Sequence, residues 1–222
     1  MMTVSELATS RPLSVRVLQR HGIDFCCGGA RPLDAACTAR GLRAETLLQE
    51  VDAVEAEARP DARRWDQAPI PELVAHILAR HHRPLDTELD RLDFLVGKVT
   101  TVHHDKDPAM MDGIRQAWQD LLDDLLPHMK MEEDLLFPRI LAGVRAGPDP
   151  GLGSPIEVME EEHKAVGRTL ATLRALTKDY VVPDEACGSW RALWQGLEAL
   201  EADLHQHIHL ENNVLFQRVL RS

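Results

Sequence analysis

Aromatic side chains are scarce in this chain: four tryptophans, four phenylalanines and one tyrosine make up 4% of its 222 residues. Runs of β-branched residues are equally rare, while Leu, Ala, Glu and Arg abound. A sheet protein is thereby disfavoured and helices are expected. No apolar stretch approaches the ~20 residues of a membrane-crossing helix, so no membrane role is expected. Cations are the minority, 25 Lys and Arg against 36 Asp and Glu, and the net charge of -11 argues against nucleic acid as a partner. The segment Met1 to Arg11 carries Glu6 and lacks a basic-then-apolar order, so no secretory signal is expected. Cysteine is limited to Cys26, Cys27, Cys37 and Cys187. The Cα atoms of neighbours such as Cys26 and Cys27 are about 3.8 Å apart, closer than an ordinary disulfide prefers. Reduced thiols and a cytoplasmic location follow as expectations.

What is present suits a globular protein with a real core: 44% hydrophobic and 27% charged residues, a length for one domain plus a small appendage. The pattern divides near residue 60. Residues 1–60 read as a small helical domain, with helices over Val4 to Ala8, Ser14 to Arg20, Leu33 to Arg40 and Arg43 to Ala58. Gly22 and Gly28-Gly29 break them, and Gly41 closes the third. Arg59-Pro60-Asp61-Ala62-Arg63-Arg64 reads as a linker. Residues 65–222 read as four long helices in an up-down-up-down bundle, all-α. Pro71, Pro108 and Ser154-Pro155 open three of them, the last with Glu157 completing a capping box. Pro183 precedes the fourth. Pro84 and Pro127 fall inside helices and should kink or widen them.

The chemistry lies in an internal repeat. His128-Met-Lys-Met-Glu132-Glu-Asp-Leu-Leu-Phe137-Pro-Arg139-Ile140 is echoed by His207-Ile-His-Leu-Glu211-Asn-Asn-Val-Leu-Phe216-Gln-Arg218-Val219. In each copy the i,i+4 spacing stacks an imidazole and a carboxylate on one helical face. Met131, Leu135, Leu210 and Val214 suggest that this face points inward. Two carboxylates in an apolar interior need compensation. A metal supplies it, and two carboxylates can bridge two metals. Nitrogen and oxygen donors without thiolate suit iron or manganese. One such pair is more often a solvated surface feature, whereas a copy in register on an alternate helix favours metal. Helix three offers a single histidine, His163. Helix one offers His76, His81 and His82, and spacing scarcely separates the last two. His103 and His104 follow at one mouth of the bundle, as solvated histidines or a ligand. His205 and His209 fall opposite His207 and are expected to be exposed. Cys37 and Cys187 are expected to pack helices, and Trp65, Trp118, Trp190 and Trp194 to anchor the core or the domain boundary.

These residues bring a family with them. The C-terminal part resembles the hemerythrin-like domains. The whole chain resembles the iron–sulfur cluster repair di-iron proteins (ScdA/YtfE type), through the repeat and through His21-Gly-Ile-Asp24-Phe25-Cys26-Cys27-Gly28-Gly29. The resemblance implies two non-haem irons, bridged by carboxylate and with room for an oxo or hydroxo bridge. It implies imidazole ligands at His82, His128, His163 and His207, with Glu132 and Glu211 bridging, and so selects His82 over His81. Oxygen-carrying hemerythrins put a second histidine four residues after the helix-three ligand, where this chain has Gly167. His103 is the candidate to fill that place. The departure points to a reactive or labile centre, with Cys26 and Cys27 as its functional thiols. Repair of clusters damaged by oxidative or nitrosative stress, by donating iron, is the implied function, with damaged iron–sulfur proteins as partners. The rival readings are a nitric oxide reductase and an oxygen-binding sensor or carrier, with nitric oxide or oxygen as small ligand. A homodimer is compatible with the sequence.

Overall fold

The computed structural model describes residues 2–57, 63–147, 149 and 151–221. Ala58, the end of the expected fourth helix, and residues 59–62 of the expected linker lie outside them. The N-terminal part folds as α1 (Val4–Ser10), α2 (Ser14–Arg20), α3 (Leu33–Thr38) and α4 (Ala44–Glu57). Thr3 caps α1: its hydroxyl accepts from the Glu6 backbone N–H at 3.2 Å, and Glu6 accepts from the Thr3 N–H at 2.8 Å. This reciprocal capping satisfies two donors that the first turn would otherwise leave unpaired. Gly41, at φ +69°, reverses the chain after α3 in a conformation that costs other residues a steric penalty. The four helices enclose their own core around Leu7, Leu18, Phe25, Cys37, Leu47 and Val51. Cys37 is a packing residue, as expected.

The remainder is a four-helix bundle, and three of its four walls are interrupted by a π-helical turn. The first runs α5 (Ile70–Ile77), a π-turn at Leu78–His82, then α6 (Arg83–Val102). The second runs α7 (Pro108–Met131), a π-turn at Glu132–Leu136, then α8 (Phe137–Ala146). The third is α9 (Gly153–Leu176), uninterrupted. The fourth runs α10 (Gly188–His209), a π-turn at Leu210–Leu215, then α11 (Phe216–Arg221). α6 packs on α7 and α10, and α9 packs on the same two, which is the square of an up-down-up-down bundle.

Helix ends follow the sequence signals with two exceptions. Asp107 caps α7, accepting from the Met110 N–H at 3.0 Å, with Pro108 behind it. α9 begins at Gly153, so Ser154 lies inside the first turn and the expected capping box does not form. Cys187 takes the N-cap position of α10 with an extended backbone and an exposed side chain. It is not the packing residue the sequence suggested.

Pro84 and Pro138 each stand two residues past the end of a π-turn. Proline offers no N–H to the carbonyl four residues back, here Arg80 and Asp134, which favours a widened turn at those points. Pro127 sits in the last turns of α7 without interrupting it; the widening comes at Glu132 instead.

The three π-turns lie at one level of the bundle, between two apolar layers. On one side are Leu89, Leu92, Leu121, Leu170, Leu197 and the buried Trp118, Trp190 and Trp194. On the other are Leu73, Ile77, Leu136, Ile140, Ile156, Leu215 and Phe216. Trp65 packs at the margin of the second layer, stacked on His76 with ring centroids 4.0 Å apart. Between the layers sits a band of buried polar side chains.

Candidate metal centre

That band consists of His82, His128, Glu132, His163, His207 and Glu211, none more than 3% exposed. They form two clusters whose donor atoms all lie within 4.8 Å of one another: His82, Glu132, His207 and Glu211, and His128, Glu132, His163 and Glu211. Glu132 and Glu211 belong to both. In the first cluster His82 Nε2 lies 3.0 Å from His207 Nε2, 3.6 Å from Glu132 Oε2 and 3.9 Å from Glu211 Oε1. In the second, His128 Nε2 is 3.4 Å from Glu132 Oε1 and His163 Nε2 is 3.3 Å from Glu211 Oε2. With metal–ligand bonds of roughly 2.1 Å, two ligands at right angles stand about 3 Å apart. The spacings are of that order.

A hydrogen-bond inventory tests whether the residues suit metal. His128 Nε2, His163 Nε2, both oxygens of Glu132 and Oε2 of Glu211 are buried without a hydrogen-bond partner. So many unsatisfied polar atoms at one level would be costly in an ordinary core, where nearly all such atoms are paired. The outer nitrogens tell the complementary story. His82 Nδ1 is 2.9 Å from Glu133 Oε1, His128 Nδ1 is 2.7 Å from Glu162 Oε2, and His163 Nδ1 is 2.7 Å from Asn212 Oδ1. Each oxygen accepts from Nδ1–H, which leaves Nε2 with a free lone pair aimed inward. The donor set fits two divalent ions of the first transition row, with two carboxylates shared between them.

Electrostatics push in the same direction. Burial alone would lower the pKa of His128, but the carboxylates of Glu132, Glu162 and Glu211 outweigh it and hold it at about 9. His82 and His163 are also raised against burial, chiefly through Glu211. Burial would raise Glu211, yet His207, His163 and His82 keep it well below the usual carboxylate range. The layer therefore demands positive charge beside its carboxylates, which protons or metal cations can supply.

The repeat extends further than ligands. Glu133 and Asn212 occupy the same place in their copies, one residue past the shared glutamate, and each steadies the imidazole of a different helix. Phe137 and Phe216, also equivalent, lie 5.7 Å from His82 and 6.2 Å from His163 between ring centroids. Aligning the repeat with the neighbouring helices in mind could have found these supporting residues. Glu162 carried no such signal beyond adjacency to His163. His81 is buried too, but its Nδ1 faces Asp203 at 3.1 Å and its ring stacks on His207 at 5.2 Å.

Several sequence expectations do not match the geometry. His103 is not brought to the band. It ends α6, about 30 Å along the helix from His82, where its Nε2 lies 3.2 Å from Cys187 Sγ and its ring 4.7 Å from Trp190. Met131 and Leu135 are exposed, and Met129 and Leu136 take the inward positions beside the first copy. His209 is buried and His205 half-buried, because the N-terminal part covers the face opposite His207. His209 Nδ1 lies 3.3 Å from the Phe25 carbonyl, and burial pushes its pKa down to about 4.

That covering segment is the Cys-Cys loop. Asp24 accepts from the backbone N–H groups of Cys26, Cys27 and Gly28 at 3.0, 3.0 and 2.8 Å. A Cβ at Gly28 would meet Asp24 Oδ2 at 2.8 Å, and one at Gly29 would meet the Phe25 carbonyl at 2.7 Å. A side chain at Gly28 would displace the carboxylate that holds the loop, and one at Gly29 would press on backbone. Asn213 donates to the carbonyls of Phe25 and Cys26 at 3.2 and 3.0 Å, tying the loop to the π-turn that carries Glu211. Cys26 is buried and its Sγ points to Cys27 Sγ at 3.8 Å; Cys27 Sγ also reaches the His163 carbonyl at 3.5 Å. The contact from Cys26 holds the Cys27 thiol below its usual range, while Cys26 is driven well above its own. Gly167 faces this loop: a Cβ there would stand 3.8 Å from Cys27 Sγ.

Comparison with known proteins agrees with this arrangement. Residues 73–219 match the model of the hemerythrin HHE cation binding domain, and residues 1–55 match ScdA_N, a domain of unknown function (DUF542). An iron-sulfur cluster repair protein YtfE of Dickeya chrysanthemi is 39% identical over 220 residues, 99% of this chain and 96% of that protein. Proteins of the same name from Pectobacterium atrosepticum and Yersinia pestis are each 36% identical over 219 residues, with the same coverage.

Proposed function

The chain belongs to the hemerythrin HHE family and, over nearly its whole length, to the iron-sulfur cluster repair proteins of the YtfE type; from that premise we propose that it repairs damaged iron–sulfur clusters by supplying iron held between its four bundle helices. The observation that carries the reading is the sharing of Glu132 and Glu211 by two histidine clusters. We assign His82 and His207 to one iron, His128 and His163 to the other, and Glu132 and Glu211 as bridges. His103 is left out of the set. Iron bound there is the cargo delivered to a damaged cluster, and iron–sulfur proteins are the clients.

The chain's own residues prepare that delivery. Glu133, Glu162 and Asn212 hold three imidazoles with Nε2 inward, so the pocket is shaped before the metal arrives. The ligands are imidazole and carboxylate, which bind iron less tenaciously than thiolate does. Cys27 Sγ lies against the His163 carbonyl, and with Cys26 we assign it to receive or relay the cargo. Unpaired thiols suit a reducing cytoplasm, where nitric oxide and oxygen are the small ligands the centre would meet. No helix among the described residues is long and apolar enough to cross a membrane.

Metal analysis with Mössbauer spectroscopy tests the centre. Two irons per chain in a coupled, carboxylate-bridged state are expected; a single zinc would overturn the assignment. Repair is tested by adding the iron-loaded protein to an iron–sulfur enzyme whose cluster nitric oxide has damaged. Recovery of the enzyme with stoichiometric loss of iron from this chain is expected. Catalytic turnover of nitric oxide without iron loss would favour the reductase reading instead.

A further inference from the structure

A cleft of about 870 Å³ separates α2 and the Gly22 to Asp24 loop from α9 and α10. Its volume is that of a small-molecule site. Arg16, Arg20 and Arg40, with Asp24, line the N-terminal side, and Asp179, Glu198 and Glu201, with Arg174, the bundle side. Most of the remaining charge is already engaged. Arg174 donates to Glu201 at 2.6 and 3.1 Å and to Asp179 at 3.2 Å. Asp24 is held by its three backbone N–H groups, and Arg20 stands 3.7 Å from Glu50. The side chains of Arg16, Arg40 and Glu198 have no ion pair or hydrogen bond among the described residues. In a chain of net charge -11, unmatched arginines facing a concave surface select an anion.

The floor of the cleft supplies the second half of the argument. Gly167 lines it, and beyond the missing side chain lies Cys27 Sγ, 3.8 Å from where a Cβ would be. A side chain at Gly167 would fill the space beside that sulfur. We infer that the cleft binds a small peptide thiol with two carboxylates and one ammonium group, of the glutathione class, and presents its sulfur to Cys27. The carboxylates match Arg16 and Arg40, and the ammonium group matches Glu198. The purpose rests on the repair reading, in which Cys27 receives or relays iron and must be a free thiol to do so; the binding itself does not.

The reaction is thiol–disulfide exchange and balances without a further oxidant. With the symmetrical disulfide of the peptide, Cys27 gives its proton to solvent and its sulfur attacks one peptide sulfur. The Cys27–peptide disulfide forms as the original disulfide breaks, and the other peptide leaves as a thiolate that takes up a proton. In reverse, a reduced peptide attacks the peptide sulfur of the mixed disulfide. Cys27 leaves as the thiolate and the symmetrical disulfide is regenerated.

The test compares two disulfides on the full-length chain: glutathione disulfide and uncharged hydroxyethyl disulfide, with adducts at Cys27 followed by mass spectrometry at low salt. Both reagents meet the same sulfur, so their rate ratio cancels the thiol's own reactivity and exposure. A preference of about tenfold for glutathione disulfide is expected from charge-assisted contacts, with S-methylglutathione competing. The double variant Arg16→Gln, Arg40→Gln should lose that preference while keeping its rate with hydroxyethyl disulfide. Equal rates in the native protein, absence of competition, or equal loss with both reagents in the variant would overturn the inference. Cluster repair is assayed on the same samples. A preference without repair sinks the repair reading and leaves the cleft standing; repair without a preference does the reverse.

Discussion

Asn212 accepts from Nδ1–H of His163 at 2.7 Å, one residue beyond Glu211 in sequence. The π-turn that carries one shared glutamate thus also orients an imidazole from another helix. Asn212→Leu should keep the fold and loosen His163, weakening iron binding by about 10- to 100-fold, the usual range for losing such a support. Competition with a ferrous chelator measures it, and an unchanged affinity would mean that the contact is incidental.

Removing a shared carboxylate should act on both irons together. Glu132→Leu or Glu211→Leu is expected to abolish the magnetic coupling seen by Mössbauer spectroscopy and to lower the iron content below two per chain. Retention of a coupled pair in either variant would mean that the bridges are wrongly assigned.

His103 offers the opposite test. Its imidazole lies against Cys187 and Trp190, at the far end of α6 from His82. His103→Ala should therefore bind as much iron as the native chain, with the same spectrum. Loss of one iron would restore His103 to the ligand set.

The metal-free protein should show its charge demand as a pH dependence. His128 holds its proton more tightly folded than unfolded, since its pKa rises from 6.5 to about 9. Its contribution to stability is complete below pH 6.5 and is lost as pH climbs through about 9. His82 and His163 are shifted in the same sense. Glu211 is shifted down, so its contribution is present above its unfolded value of 4.5 and is lost on acidification below that. The melting temperature of the metal-free chain should be highest between these ranges and fall from pH 6.5 to 9. Iron displaces the same protons, so its affinity should rise over that interval. A flat or rising melting temperature would contradict the first expectation.

Burial also sets the kinetics of release. None of the six residues assigned to iron is more than 3% exposed, so a chelator should reach the metal only after the bundle opens locally. The rate of iron loss should be independent of chelator concentration once chelator is in excess, and should rise with mild denaturant. A rate proportional to chelator would mean direct attack on a closed site.

The bundle was legible because long amphipathic patterns and proline starts are local signals. The convergence of the two His–Glu pairs was legible because one helix sets an i,i+4 geometry by itself. What escaped depends on a second element. His209 and His205 read as solvated because the pattern of α10 alone cannot show that Phe25 covers them. His103 looked available because its type was right, and only the length of α6 puts it out of reach. The π-turns left a partial trace in Pro84 and Pro138, but Leu210–Leu215 has no proline after it. Glu133 and Asn212 were visible as equivalent positions, yet their partners lie on other helices.

The π-turns have a mechanical consequence. Each interrupts the regular backbone ladder of its helix, and all three do so at one height, where the filling is polar rather than apolar. Firm apolar layers lie on either side. A bundle built this way has a seam, and under thermal motion it would part across the metal plane while both ends stay zipped. The same geometry that gathers the buried imidazoles and carboxylates would then mark where the proposed iron cargo comes out.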